Sequence, residues 1–217
     1  MKPQFYVVLI LVTAWLGFPR PSGAQGTIAY YQPATPIILW SQGFDEFHPF
    51  DFDGDGNREL TFVYNFQSIG IMYGQDTRSL SFMYPFPNNG GVPQPLPAGV
   101  LIGPDSGFDQ LQWFGGIPGE PFGFYGLVYI TSTGVGGQFA GQHAYMGVEF
   151  QRAGATHYGW ILLQISEDYA AIGAIESWAW ETQPGVPIFA GAVPEPSTWV
   201  LLGLGALALV WQGRRSN

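Results

Sequence analysis

The chain has 217 residues with no cysteine, 31 glycines and 18 prolines, and its aromatic residues (17%) outnumber its charged residues (11%). This composition excludes a disulfide-bonded scaffold and a disordered chain, and it is typical of many short strands joined by tight turns. Between residues 25 and 192 only three basic side chains accompany fifteen acids, which gives a net charge of −12. Such a field repels phosphate backbones, so nucleic acid is excluded as a partner, whereas divalent cations and neutral sugars are compatible with it.

The first residues have the pattern of a secretory signal peptide. Lys2 supplies a positive charge, an apolar run covers residues 5–16, and Ser22 and Ala24 occupy the two positions that a signal peptidase reads. An apolar run this short is poorly suited to remain in a bilayer as a spanning helix. We therefore expect residues 1–24 to be a signal peptide that is cleaved after Ala24.

Apolar and polar residues alternate with period two along the middle of the chain. In residues 59–66, for example, Leu60, Phe62 and Tyr64 share one face of an extended segment. The same pattern predicts strands over residues 27–31, 37–41, 59–66, 69–73, 78–84, 99–102, 124–131, 144–151, 157–165 and 171–180. Residues 25–181 are therefore predicted to form one all-β ectodomain, an antiparallel sandwich or jelly roll, with a long loop over residues 85–97.

An acidic segment with interspersed glycines lies just before the strand predicted at 59–66. Carboxylates at alternate positions, with glycines that let the chain curl, can direct several hard oxygens at one point, which is what Ca²⁺ requires. The candidate metal ligands are Asp51, Asp53, Asp55, Asn57 and Glu59. The three aspartates and Gly56 match the start of an EF-hand-type loop, but Phe62 stands where that loop needs a bidentate glutamate and a strand follows.

The segment instead resembles the aspartate-rich calcium loops found between strands of extracellular repeat proteins. We expect it to bind Ca²⁺, with a further ligand from Asp45, Glu46, another loop or water. The alternative is a solvated turn, in which aspartate and glycine serve only for their turn propensity.

Signatures of catalysis are lacking in this sequence, and we expect a protein that is not an enzyme. Each of the three histidines stands without a partner at metal-ligand spacing, and no nucleophile motif is present. A glycosidase-like carboxylate pair is the least favoured reading, and its candidates are Glu149, Glu167, Asp168, Glu176 and Glu181.

Aromatic side chains in a glycine-rich stretch suggest an alternative function. Exposed rings there could stack on sugars, which would make the domain a carbohydrate-binding module for exopolysaccharide. The rings concerned are Trp113, Phe114, Phe122, Phe124 and Tyr125. Packing of the same rings into a core is the competing interpretation.

The last part of the chain combines a proline-rich tether over residues 182–198, an apolar segment over 199–211 and a basic tail over 212–217. The apolar segment halts translocation, and Arg214 and Arg215 hold the tail on the cytoplasmic side of a membrane. The tether contains the box Val193, Pro194, Glu195 and Pro196, whose prolines keep the backbone extended.

This layout resembles the PEP-CTERM sorting signal. The resemblance implies export to the envelope or matrix of a Gram-negative, polysaccharide-producing bacterium, at least transient membrane anchoring, and processing by an exosortase, which is a membrane peptidase. The succession of the acidic loop and the segments 144–150, 156–161, 178–182 and 187–191 is also similar to ectodomains common among PEP-CTERM proteins. That likeness implies the fold and the placement of the domain, and no activity.

Overall fold

The computed structural model describes residues 27–39, 45–65, 68–74, 76–83, 91–107, 111–115, 124–131, 134–167 and 173–194. Within these ranges the chain is all-β and contains no helix. It follows that no described helix is long and apolar enough to cross a membrane. The predicted signal peptide (1–24) and the predicted apolar segment (199–211) lie outside the described residues.

The described ranges contain fifteen strands, most of them short. In chain order they are β1 (Ile28–Tyr31), β2 (Ile37–Leu39), β3 (Glu46–Phe50), β4 (Leu60–Asn65), β5 (Ser68–Tyr73), β6 (Arg78–Met83), β7 (Gly91–Pro93), β8 (Leu101–Ile102), β9 (Leu111–Gly115), β10 (Phe124–Thr131), β11 (Gly134–Gly136), β12 (His143–Arg152), β13 (Ala155–Ile165), β14 (Gly173–Glu181) and β15 (Ile188–Phe189).

Two antiparallel sheets hold thirteen of these strands. The larger sheet has the order β1-β14-β13-β12-β6-β7, with β2 also paired to β14 and β9 also paired to β6. The smaller sheet has the order β11-β10-β5-β4-β3. Many neighbours in a sheet are also neighbours in the chain, as in β3-β4-β5 and β12-β13-β14. The connections from β4 to β5 and from β12 to β13 are only two residues long.

The main hydrophobic core lies between the two sheets. It takes alternate residues from β4 (Leu60, Phe62 and Tyr64) and from the facing strands β12, β13 and β14. Phe50 of the smaller sheet packs edge-on against Trp178 of the larger sheet, with ring centroids 4.9 Å apart. Aromatic rings therefore fill much of the space between the sheets, which explains why this chain carries so many of them.

A second hydrophobic core covers the outer face of the larger sheet. Here Leu80 and Trp160 are buried beneath Ile102 of β8 and Ile188 of β15, which pair with each other. Ala190 N–H donates to the Val100 carbonyl at 2.8 Å, and Trp160 Nε1–H donates to the Ala192 carbonyl at 3.2 Å. We call residues 183–194 the C-terminal strap.

Much of the predicted tether is therefore folded. The tether was expected to begin at residue 182, but the strap is bound to the domain as far as Ala192. The physical reason is that Ile188 and Ala190 fill the second core, so the prolines and glycines around them form turns of a packed segment.

All ten predicted strands are present with shifts of a few residues at their ends. Five further strands, β3, β7, β9, β11 and β15, were not predicted. Strand β7 lies inside the predicted long loop at 85–97 and contains Pro93, which sits at the end of a short strand where a missing N–H is tolerated. Strand β6 is buried on both faces, because its Ser79 and Ser81 face the main core while Leu80 enters the second.

Candidate metal centre

The acidic loop comprises residues 51–59 and joins β3 to β4. Two of its glycines have backbone angles that other residues rarely adopt, with φ of +76° at Gly54 and +93° at Gly56. They curl the chain around the Asp51 carboxylate, which accepts hydrogen bonds from the N–H groups of Gly54 (2.7 Å), Asp55 (3.2 Å) and Gly56 (2.8 Å). The loop is thus wound around one of its own carboxylates.

Phe52 anchors the acidic loop to the main core. Its ring is fully buried and packs edge-on against Phe150, with centroids 5.1 Å apart. It lies directly over Gly159, where an added Cβ would come within 2.6 Å of the ring. The Phe52 N–H donates to Glu59 Oε2 at 2.6 Å, so the anchor also fixes the last acid of the loop.

Four carboxylates converge inside the loop. Asp51, Asp53, Asp55 and Glu59 each place an oxygen within 4.8 Å of the others. Two oxygens bound to one Ca²⁺ at 2.3–2.6 Å stand at most about 5 Å apart, so this spacing fits a shared cation. Asp53 and Glu59 are buried, Asp51 is half-buried and Asp55 is exposed, so the cluster opens to solvent on one side.

Burial disfavours the ionised forms of Asp53 and Glu59. It raises the pKa of Glu59 from 4.5 to about 7, and the negative charges of Asp53 and Asp51 add to the shift. Burial also raises the pKa of Asp53. At the exposed rim, hydrogen bonds from Asn57 lower the pKa of Asp55. A cation among these groups would relieve the repulsion and favour the ionised forms.

Arg152 supplies a positive charge beside the cluster. Its Nε lies 3.1 Å from Asp53 Oδ2, and its guanidinium stands 4.6 Å from the centre of the Trp180 ring. The contact is an ion pair without a hydrogen bond, since Asp53 Oδ2 is buried and no donor is directed at it. A buried carboxylate oxygen without a hydrogen bond, together with three other hard oxygen donors, fits Ca²⁺ better than a soft metal.

The structure brings four of the five predicted ligands together. The fifth, Asn57, contacts the rim, where its Nδ2 donates to Asp55 Oδ2 at 3.0 Å and its backbone N–H donates to Asp55 Oδ1 at 2.8 Å. Glu46 lies at the far end of β3, about 17 Å along the strand from Asp51, and its Oε2 is 3.5 Å from His48 Nε2. Asp45 precedes the same end of β3.

The described rings of the proposed carbohydrate-binding stretch are packed against other aromatic residues. Trp113 contacts Tyr158 with centroids 5.7 Å apart, and its Nε1–H donates to the Gly103 carbonyl at 3.2 Å. Phe114 packs edge-on against Tyr125 with centroids 5.2 Å apart. Phe122 and the side chain of Phe124 lie outside the described residues.

Several carboxylates considered for catalysis have nearby partners. Glu149 is buried and accepts hydrogen bonds from the Arg78 guanidinium. Glu176 lies 2.9 Å from His143 Nε2. Glu181 Oε1 accepts the Gln183 N–H at 2.9 Å. Glu167 is exposed, and Asp168 lies outside the described residues.

The sorting box begins where the strap leaves the domain. Val193 and Pro194 are exposed, whereas Glu195 and Pro196 lie outside the described residues. Residues 192–215 match the family model of the PEP-CTERM protein-sorting motif. No curated protein and no solved structure matches the chain. The motif implies processing by an exosortase, a membrane protein, and export with sorting to the cell envelope. The chain thus carries a PEP-CTERM protein-sorting motif at residues 192–215.

Proposed function

We propose that this protein is a non-catalytic component of the cell envelope or extracellular matrix of a Gram-negative bacterium, with a β-sandwich ectodomain that Ca²⁺ stabilises. The sorting motif supports the location in the cell envelope. The convergence of Asp51, Asp53, Asp55 and Glu59 within 4.8 Å is the observation that carries the calcium site. Residues 199–211 tether the domain to the membrane at least until the exosortase acts.

Calcium would act on stability rather than on chemistry. The four carboxylates are its protein ligands, and the ion supplies the positive charge that offsets their mutual repulsion. The loop contacts both sheets, since it joins β3 to β4 while Phe52 packs on Phe150 of β12. A bound ion would therefore hold the shape of a loop whose Phe52 connects the two sheets of a domain that has no disulfide.

Thermal unfolding of the full chain in mild detergent tests the calcium site. A ligand that binds only the folded state at a hundred times its Kd contributes about 2.7 kcal/mol. For a domain of this size we expect the Tm to rise by about 5–10 °C when chelator is replaced by saturating Ca²⁺.

Paired variants distinguish a specific site from a general charge effect. Asp53→Asn with Asp55→Asn keeps the shape of the loop and removes two charges, so it should abolish the rise in Tm. Asp105→Asn removes an exposed acid far along the chain from the loop and should leave the rise intact. An equal Tm with chelator and with Ca²⁺ in the unmodified chain would favour the solvated turn over a calcium site.

The carbohydrate-binding alternative loses support from the packing of Trp113, Phe114 and Tyr125, because sugar stacking needs an open ring face. A glycosidase has no specific observation in its favour.

A further inference from the structure

The strap and β8 carry three exposed apolar side chains. Leu101 of β8 and Phe189 of β15 are cross-strand partners, and they are 46% and 55% exposed. Their neighbours Ile102 and Ile188 point the other way and are buried. The Ala192 N–H donates to the Phe189 carbonyl at 2.9 Å and closes a turn. Val193 follows this turn and is 46% exposed. We call Leu101, Phe189 and Val193 the apolar ridge.

The two chain segments that carry this ridge are almost free of charge in an otherwise acidic domain. Residues 183–194 contain no charged side chain, and residues 91–107 contain only Asp105. Apart from Gln183 and Asp105, the exposed neighbours along these two segments are proline, alanine and glycine, as at Pro97, Ala98 and Pro187. A surface that must approach a bilayer has this character, because acidic side chains are repelled by anionic lipid and are costly to desolvate.

The sorting motif brings the ridge close to the membrane. Trp160 holds the Ala192 carbonyl, and the apolar segment starts at Trp199. The six residues between them allow at most about 25 Å between the two Cα atoms, even when fully extended. The headgroup layer extends roughly 6 Å outside the hydrocarbon core. Phe189 and Val193 are close to Ala192 in the chain, so the ridge can contact this headgroup layer.

We propose that the apolar ridge inserts into the lipid headgroup region of the membrane that holds residues 199–211. The ridge thereby sets the orientation of the anchored domain, with the outer face of the larger sheet toward the bilayer and the acidic loop free to meet soluble Ca²⁺. Partly exposed Leu, Phe and Val side chains gain by burial at the apolar edge of the headgroups, as interfacial anchors do. This inference rests on the proposed tethering by residues 199–211.

The absence of native cysteine allows a direct test. The full chain is reconstituted in phosphatidylcholine vesicles with a single environment-sensitive fluorophore at Leu101→Cys. The matched control carries the fluorophore at Phe47→Cys, because Phe47 is 57% exposed on β3 of the other sheet. We expect several-fold weaker quenching by aqueous iodide at position 101 than at position 47, and strong quenching at 101 by lipid with a headgroup-level nitroxide.

A second substitution separates lipid contact from other causes of protection. Phe189→Asp in the Leu101→Cys background should restore iodide quenching, whereas Phe47→Asp in the same background should not. Equal iodide access at positions 101 and 47, in a chain that floats with the vesicles, would contradict insertion of the ridge but not tethering by residues 199–211. A chain that does not float would contradict both. Protection at 101 that disappears when the protein is diluted in lipid would identify a second copy as the occupant and would also overturn the proposal.

Discussion

The acidic loop and the C-terminal strap are both rich in turn-forming residues, yet they hold to the domain by opposite means. The loop gathers four carboxylates and has one buried apolar anchor, Phe52. The strap has no charge at all and is held by backbone hydrogen bonds and by the burial of Ile188 and Ala190. The proposed role of a cation is therefore confined to the loop, where carboxylates repel one another, whereas the strap packs on the domain through apolar side chains and backbone hydrogen bonds.

The largest expected effect concerns the boundary between the strap and the sorting box. Glu195→Ala removes the only charge of the box while both prolines keep the backbone extended, so exosortase processing should be lost. In a strain with an active exosortase, mass spectrometry should find the full C-terminal segment on the variant and a shortened chain for the unmodified protein. Phe189→Ala, which changes the strap on its exposed side, should be processed normally. Identical mature masses for the Glu195 variant and the unmodified chain would show that the box is not read.

Stability should depend strongly on the buried side of the strap. Ile188→Ala leaves a cavity over the outer face of the larger sheet and should lower the free energy of unfolding by about 2–5 kcal/mol. The neighbouring Phe189→Ala removes an exposed ring and should change it by less than about 0.5 kcal/mol in detergent. Urea unfolding of both variants measures the difference. Equal effects would mean that the strap is a loose tether after all.

The anchor of the loop gives a smaller and more selective effect. In Gly159→Ala the new Cβ meets the Phe52 ring at 2.6 Å and the Ala179 carbonyl at 2.5 Å. Overpacking of this kind costs about 1–3 kcal/mol. Because the displaced Phe52 also carries the N–H that binds Glu59, the calcium-induced rise in Tm should shrink as well. Ile188→Ala should leave that rise unchanged. A loss of the rise in both variants would show that the loop and the strap are not independent.

A further prediction concerns the pH dependence of the metal-free protein. The pKa of Glu59 is about 7 in the fold against an ordinary 4.5, so between these values the unfolded chain releases a proton that the fold keeps. The free energy of unfolding should therefore decrease as the pH rises from about 4.5 to 7. Glu59→Gln should flatten this slope. A metal-free stability that increases over the same range would contradict the assignment.

Much of the fold could be predicted from the alternation of apolar and polar residues. Strand β4 shows why, since Leu60, Phe62 and Tyr64 are all buried on the face that the pattern assigns to the core. Strand β15 could not be predicted in this way, because a strand of two residues shows no period. Its place depends on Trp160 and Ile102, which are distant in sequence.

The local part of the candidate site could likewise be predicted from the sequence, and its long-range contacts could not. The spacing of the aspartates predicts their convergence, because the loop that gathers them is local. The roles of Arg152 and Gly159 could not be predicted, since both reach the loop from the hairpin of β12 and β13, about a hundred residues away in the chain.

Calorimetric titration of the chelator-treated full chain with Ca²⁺ measures binding at the acidic loop itself. We predict one Ca²⁺ per chain, binding that tightens as the pH rises through about 7 because Glu59 must lose its proton, and no binding in the chain with Asp53→Asn and Asp55→Asn. Absence of binding by the unmodified chain, or equal binding by that double variant, would show that the acidic loop is not a Ca²⁺ site.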